Sequence, residues 1–167
     1  MNKTYWKLVE ENALDNVKTY FIKATKDVKP LFDFPQTPKK TIDELFEKGK
    51  ILVAKNSESI VGIVAYFRGV PKVENNTIIC EDEKIAHVYC FTIDKPYRGE
   101  ISSSVRKNIA QEAIKDNCSI IQFRAYKENN NLVNRLYSFY TKKVKEELNV
   151  RNKIVNVYRQ DPLEWLK

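Results

Sequence analysis

The sequence is short of glycine, histidine and long apolar runs, and each shortage removes a class of protein. With 4 Gly and 6 Pro in 167 residues, it is neither collagenous, nor rich in linkers, nor of low complexity. The longest apolar stretches, Ile51 to Ala54 and Ile60 to Phe67, fall far short of the roughly 20 residues a membrane-crossing helix needs. No membrane association is expected. The start, Met1 to Trp6, leads directly into charged sequence without the apolar segment of a secretory signal, so the expected location is the cytoplasm. A single histidine, His87, excludes a histidine-rich metal centre. Cys80, Cys90 and Cys118 are odd in number and have no CxxC spacing, which suggests neither a disulfide framework nor a zinc site. No metal is expected.

What is present is a globular composition: 43% hydrophobic, 31% charged and 11% aromatic residues. A chain of 167 residues is long enough for one ordinary core and short for two, so residues 1–167 are read as a single domain. The net charge of +7 would favour a polyanion, whether nucleic acid, a phosphorylated small molecule or an acidic protein. The lysines are dispersed, however. Their densest groups, Lys39-Lys40 and Lys142-Lys143 with Lys145, lie beside turns or acidic residues, as on a solvated surface.

Apolar residues at helical spacing (Leu14, Val17, Phe21, Ala24, Val28) predict a first helix over about 13–28, ended by Pro30. An aromatic loop, Phe32 to Pro35, follows. Thr41-Ile42-Asp43-Glu44 has the form of a capping box for a second helix, with Gly49 as its stop. Ile51 to Ala54 and Ile60 to Phe67 predict an antiparallel hairpin across Asn56 to Ser59. A further strand over about 85–93 would put His87, Tyr89, Phe91 and Ile93 on one face and Val88, Cys90 and Thr92 on the other. The period then changes. Ile101, Val105, Ile109, Ala113 and Ile114 mark a third helix ending near Asn117, and Ser119 to Ala125 a buried strand. Leu132, Val133, Leu136, Tyr137, Tyr140 and Val144 mark a fourth helix, and Val150 to Tyr158 a last strand. Strand, helix, strand over 85–125 demands parallel pairing and the hairpin antiparallel pairing. The expected fold is therefore α/β, a mixed, mostly antiparallel sheet of five to seven strands with helices on both faces.

Two helices, a hairpin, then strand, helix, strand, helix, strand resembles the GNAT superfamily of acyl-coenzyme A N-acyltransferases in element order. Ile93-Asp94-Lys95-Pro96-Tyr97-Arg98-Gly99-Glu100-Ile101-Ser102-Ser103 is similar to that family's cofactor signature, in which a strand end leads through a short turn into Arg-Gly and a helix. A pyrophosphate is well held where backbone amides converge at a helix N-terminus and small residues let it approach. The family pattern has Arg-Gly-x-Gly-x-Gly or Ala; this chain has one glycine followed by Ser102-Ser103-Ser104. The same segment also reads as a serine-capped helix with no ligand. A second match, Asn130-Asn131-Leu132-Val133-Asn134-Arg135-Leu136-Tyr137, resembles the family's Asn-x-x-Ala-x-x-Leu-Tyr. There the tyrosine can protonate the departing thiolate; a tyrosine on a helix face also serves as core.

The resemblance implies direct transfer of an acetyl or other acyl group, with acetyl-CoA or another acyl-CoA as co-substrate and a small-molecule or peptide amine as acceptor. Phe91, Thr92 and Ile93 would hold the pantetheine through their backbone. Arg98, Gly99, Ser102, Ser103 and Ser104 would hold the pyrophosphate, with Asn130 beside the cofactor. Tyr137 would be the general acid. His87 stands where some members carry a catalytic glutamate, so it resembles a general base, for which an ordinary histidine pKa is suited; a hydrogen-bonded structural histidine is the other reading. The alternative function is a non-catalytic, regulatory domain of this fold that uses its positive charge on a polyanion. No nucleic-acid motif is recognised, so nucleic acid is not the expected partner. Whether the chain is a monomer or a homodimer stays open.

Overall fold

The computed structural model describes residues 4–26, 37–127, 142–148 and 152–167. In chain order these form β1 (Tyr5–Leu8), α1 (Leu14–Thr25), α2 (Pro38–Lys48), β2 (Gly49–Asn56), β3 (Ser59–Glu74), β4 (Thr77–Ile93), α3 (Arg98–Lys115), β5 (Ile120–Tyr126), β6 (Lys142–Leu148) and β7 (Ile154–Gln160). Short 3-10 turns cover Glu11–Ala13, Lys95–Tyr97 and Pro162–Leu166. The strands make one 7-stranded sheet in the order β1-β2-β3-β4-β5-β7-β6. Only β4 and β5 pair in parallel; the other neighbours are antiparallel. The mixed, mostly antiparallel sheet expected from the sequence is the sheet observed.

Alternate residues of β2 and β3 point to opposite faces, and each face has its own cover. Ile51, Val53, Ile63, Ala65 and Phe67 pack with Val17, Tyr20 and Phe21 of α1 and Ile42 and Leu45 of α2. Leu52, Val64 and Tyr66 pack with Val105, Ile109, Ala110 and Ala113 of α3 and with Trp165 of the final turn. Each large side chain so buried contributes roughly 1.5–3 kcal/mol. Gly49 is fixed by contact: a Cβ there would lie 1.8 Å from the Tyr66 carbonyl oxygen, so the first residue of β2 admits no side chain.

Several boundaries differ from expectation, each for a local reason. The N-cap of α2 is Thr37, whose hydroxyl accepts from the Lys40 amide, and Pro38 takes the first turn. Thr41 instead lies inside the helix, its hydroxyl donating to the Thr37 carbonyl. The β3–β4 hairpin is longer than expected, turning at Asn75 and Asn76, which both have positive φ, as a tight hairpin turn requires. β1 was not expected; its four residues, YWKL, are too few for a periodic signal. Val144, expected on the fourth helix, lies in β6, and the last strand begins at Ile154. The rest of that helix falls outside the described residues, as do Val150 and Arg151 of the expected last strand and the Phe32 to Pro35 loop.

The largest correction concerns β4. Ala65 faces Cys90 and Tyr66 faces Val88, so Tyr89 is an extra residue, a β-bulge. One added residue reverses the sides of everything after it. His87, opposite Phe67, therefore shares its face with Cys90 and Thr92, opposite Ala65 and Ile63. Phe91 and Ile93, opposite Val64 and Gly62, join Val88 on the α3 face. Tyr89 itself turns to the α1/α2 side, edge-on to Phe67 at a centroid distance of 5.4 Å.

Candidate functional site

The parallel ladder between β4 and β5 runs from Ile85↔Ile120 to Val88↔Phe123 and stops there, although β4 continues to Ile93 and β5 to Tyr126. Beyond Val88 the two central strands no longer pair, which leaves a gap in their ladder just past the bulge. The Asp94 amide donates to the Val61 carbonyl at 2.8 Å. Alternation along an antiparallel pair then gives β3 the amides of Thr92 and Cys90 and turns the N–H groups of Phe91 and Ile93 toward the gap. Phe91 is 42% exposed. A large apolar side chain on an interior strand is usually covered, so its exposure marks an open place in the fold. Of the three strand residues expected to hold a ligand by backbone, Phe91 and Ile93 have the right orientation, and Thr92 faces β3.

The turn after β4 carries the chain from the gap to the start of α3. There the Tyr97 amide donates to the Asp94 carbonyl at 2.9 Å and the Arg98 amide to the Lys95 carbonyl. The 3-10 turn thus consumes two amides that a phosphate-binding loop would leave free. Arg98 is exposed, and its Nε donates to the Ile93 carbonyl at 3.1 Å, which leaves its terminal nitrogens as donors. Gly99 is exposed, and a Cβ on it would meet nothing within 4 Å, so the fold itself has no need of glycine there. Ser103 is exposed, whereas the Ser104 hydroxyl donates back to the Ile101 carbonyl at 3.0 Å. Ser102 lies on the first turns of α3. What faces solvent at this end is therefore the positive pole of an 18-residue helix, the Arg98 guanidinium and the Ser103 hydroxyl.

Asp94 also anchors α1, since the Tyr20 hydroxyl donates to its carboxylate at 2.9 Å; burial, then Asp94, raises the Tyr20 phenol well above its usual value. Nothing in the sequence pattern flagged this pair.

His87 sits one residue before the last rung of the β4–β5 ladder and is only 3% exposed. Its Nδ1 lies 3.1 Å from Nε2 of Gln122, and Oε1 of Gln122 accepts from Nε of Arg159 at 2.8 Å. The result is a polar chain across β4, β5 and β7. Burial, aided by the positive charge of Arg124, pulls the His87 pKa down to about 3. Gln122 and Arg159 were not singled out from sequence. The available signal was a lone amide, Gln122, inside the apolar run Ile120 to Phe123. Asn130 and Tyr137, the expected cofactor-binding amide and general acid, lie outside the described residues.

Neither a protein-family model nor a curated protein sequence matches the chain. Solved structures do match its fold. The protein yncA from Salmonella typhimurium, solved with its cofactor acetyl-CoA, superimposes with a TM-score of 0.69 at 8% identity over 96% of this chain and 95% of its own. An acetyltransferase of the GNAT family from Streptococcus pneumoniae gives 0.65 at 11% identity over 95% and 99%. A spermidine N-acetyltransferase SpeG chimera from Vibrio cholerae and hSSAT gives 0.64 at 13% identity over 99% of each chain. At such identities the likeness establishes the fold, which is that of the GNAT acetyltransferases.

Proposed function

We propose that this chain, having the GNAT acetyltransferase fold, transfers an acyl group from coenzyme A to an amine. The observation that carries this reading is the break in the β4–β5 ladder past Val88, where the backbone N–H groups of Phe91 and Ile93 face away from β3 on the stretch of chain that runs into the N-terminus of α3. An acyl-CoA, whose arm is extended and whose pyrophosphate is anionic, matches both parts. Its pantetheine lies along Phe91 and Ile93, and its phosphates lie at Arg98, Gly99 and Ser103, with Ser102 and Ser104 on the same helical turns. The donors fit such a group even though two amides of the turn are taken.

In the reaction the amine nitrogen attacks the thioester carbonyl, the C–S bond breaks and the thiolate takes a proton. An N–H from the gap lies where the carbonyl oxygen gains charge, the kind of contact that often contributes most to such a step. Tyr137 is retained as the proton donor, and Asn130 as a residue that binds the cofactor, on the strength of the sequence motif. The amine proton passes to water, because a histidine with a pKa near 3 is too weak a base to take it at neutral pH. A thiol-release assay with acetyl-, propionyl- and longer acyl-CoA, offered polyamines, amino acids and peptide amines, tests the proposal. Amine-dependent release of coenzyme A is expected. No release with any pair would overturn it.

One observation favours a second reading, a non-catalytic GNAT-fold domain with a polyanionic partner: the Tyr97 and Arg98 amides are already satisfied internally. Nucleic acid or an acidic protein stabilising the chain where acyl-CoA does not would select it.

A further inference from the structure

Arginine can only donate hydrogen bonds, and this fixes two groups beyond it. Because Nε of Arg159 donates to Gln122, the atom it meets is the amide oxygen, and the Gln122 nitrogen is the one turned to His87. That nitrogen also only donates. Nδ1 of His87 must then accept, so the ring carries its proton on Nε2. We propose that Gln122 and Arg159 are positioning residues that lock His87 as the neutral Nε2–H tautomer, making it a hydrogen-bond donor beside the β4–β5 gap. The three residues share one face, since His87 pairs with Gln122 across the parallel ladder and Gln122 with Arg159 across the antiparallel one.

The charges around the ring agree with a neutral donor. Arg124 acts on His87 from β5 and is ion-paired at 2.5 Å to Glu147 of β6, while Arg159 approaches from β7. On β3 the ring faces Phe67, which offers no charge. No carboxylate among these partners touches His87. What the ring can offer through Nε2 is an N–H, so any group that meets it there is an acceptor such as a carbonyl or carboxylate oxygen and not an ammonium. As a role in catalysis this rests on the proposed acyl transfer; as a statement about the ring it does not.

His87 is the only histidine in the chain, so histidine labelled with nitrogen-15 gives one ring to read by NMR in the intact protein. The expected spectrum has an unprotonated Nδ1 and a protonated Nε2, unchanged from about pH 5 to 8, a window in which an ordinary histidine titrates. A protonated Nδ1, averaged signals from exchanging tautomers, or titration near the ordinary value would overturn the assignment. Gln122→Glu replaces the donor by an acceptor in the same place, and Nδ1 should become protonated. Arg159→Gln, at a half-buried position, removes the group that orients the amide, and both tautomers should appear. In the thiol-release assay Gln122→Glu should lower kcat roughly a hundredfold, the lower end of the scale for losing one catalytic hydrogen-bond donor, with KM for acyl-CoA unchanged. An unchanged kcat in a folded variant would remove the positioning role. A parent protein with no turnover would defeat the proposed function while the NMR result still decides the tautomer.

Discussion

At its C-terminal end α3 runs into a closed set of charges, and at its N-terminal end the same helix is left open. Lys50 of β2 reaches Glu112 at 3.0 Å and Asp116 at 2.9 Å, the buried Tyr66 hydroxyl donates to Asp116 at 2.7 Å, and Lys115 also pairs with Glu112. Each group there has a partner within the chain, in keeping with the cost of leaving buried polar atoms unpaired. At Gly99 a side chain would meet nothing, and Arg98 and Ser103 are exposed. The contrast separates a joint from a place left open. Polar groups that satisfy one another hold elements in place, whereas donors that the fold does not use remain for something that arrives.

Substitutions at the two ends should therefore fail in different ways. Lys50→Met leaves two largely buried carboxylates facing each other, and because Lys50 is partly exposed the loss should be about 2–3 kcal/mol, below the range for a fully buried pair. Chemical denaturation reads this, with acyl-CoA affinity unchanged in the folded variant. Tyr66→Phe removes only the hydrogen bond to Asp116 and should cost about 1.5 kcal/mol. Arg98→Ala should invert the pattern, weakening coenzyme A roughly tenfold, or 1.4 kcal/mol, while stability stays within about 0.5 kcal/mol. Gly99→Ala is the sharpest contrast. It should stabilise the helix by up to about 1 kcal/mol and weaken acyl-CoA, because the new methyl group occupies the approach to the helix end. A destabilised Gly99→Ala protein would show that this glycine serves the fold.

Acid should act on the closed end. Burial alone would raise the Glu112 carboxyl, but its hydrogen bonds to Lys115 and Lys50 prevail and hold it below the usual glutamate range. A carboxylate so lowered contributes stability above its unfolded pKa that is lost as pH falls through the folded one. Stability should decline below the ordinary glutamate range, and the decline should be shallower in Lys50→Met.

The sheet, both hairpin strands and α3 were legible in the sequence because their apolar periods are long and clean: Ile60 to Phe67 and Ile101 to Ile114 announce themselves. The bulge at Tyr89 was not, since His87 to Ile93 alternates without a break and an inserted residue shows only in its pairing with β3. It decides which residues line which face, so the strand was found while the side of Phe91 and Ile93 was reversed. The Lys142–Leu148 strand escaped because its sequence, KKVKEEL, is that of a solvated edge, where packing imposes no period and charges oppose further pairing. At the turn before α3, Arg98 and Gly99 were recognisable as residue types. That the turn's own carbonyls take the Tyr97 and Arg98 amides depends on a 3-10 geometry that sequence does not specify. The partners of His87 come from β5 and β7, far along the chain, and no local pattern connects them.

On the proposed function, the gap past Val88 and the open end of α3 form one acyl-CoA site. Calorimetric titration of acetyl-CoA into the parent protein and into Gly99→Val tests it most directly. One site per chain is expected in the parent, with a stabilisation of roughly 2.7 kcal/mol at a hundred times the dissociation constant, and loss of binding in a Gly99→Val protein that remains folded. No heat in the parent at millimolar ligand, or equal affinity in both proteins, would contradict it.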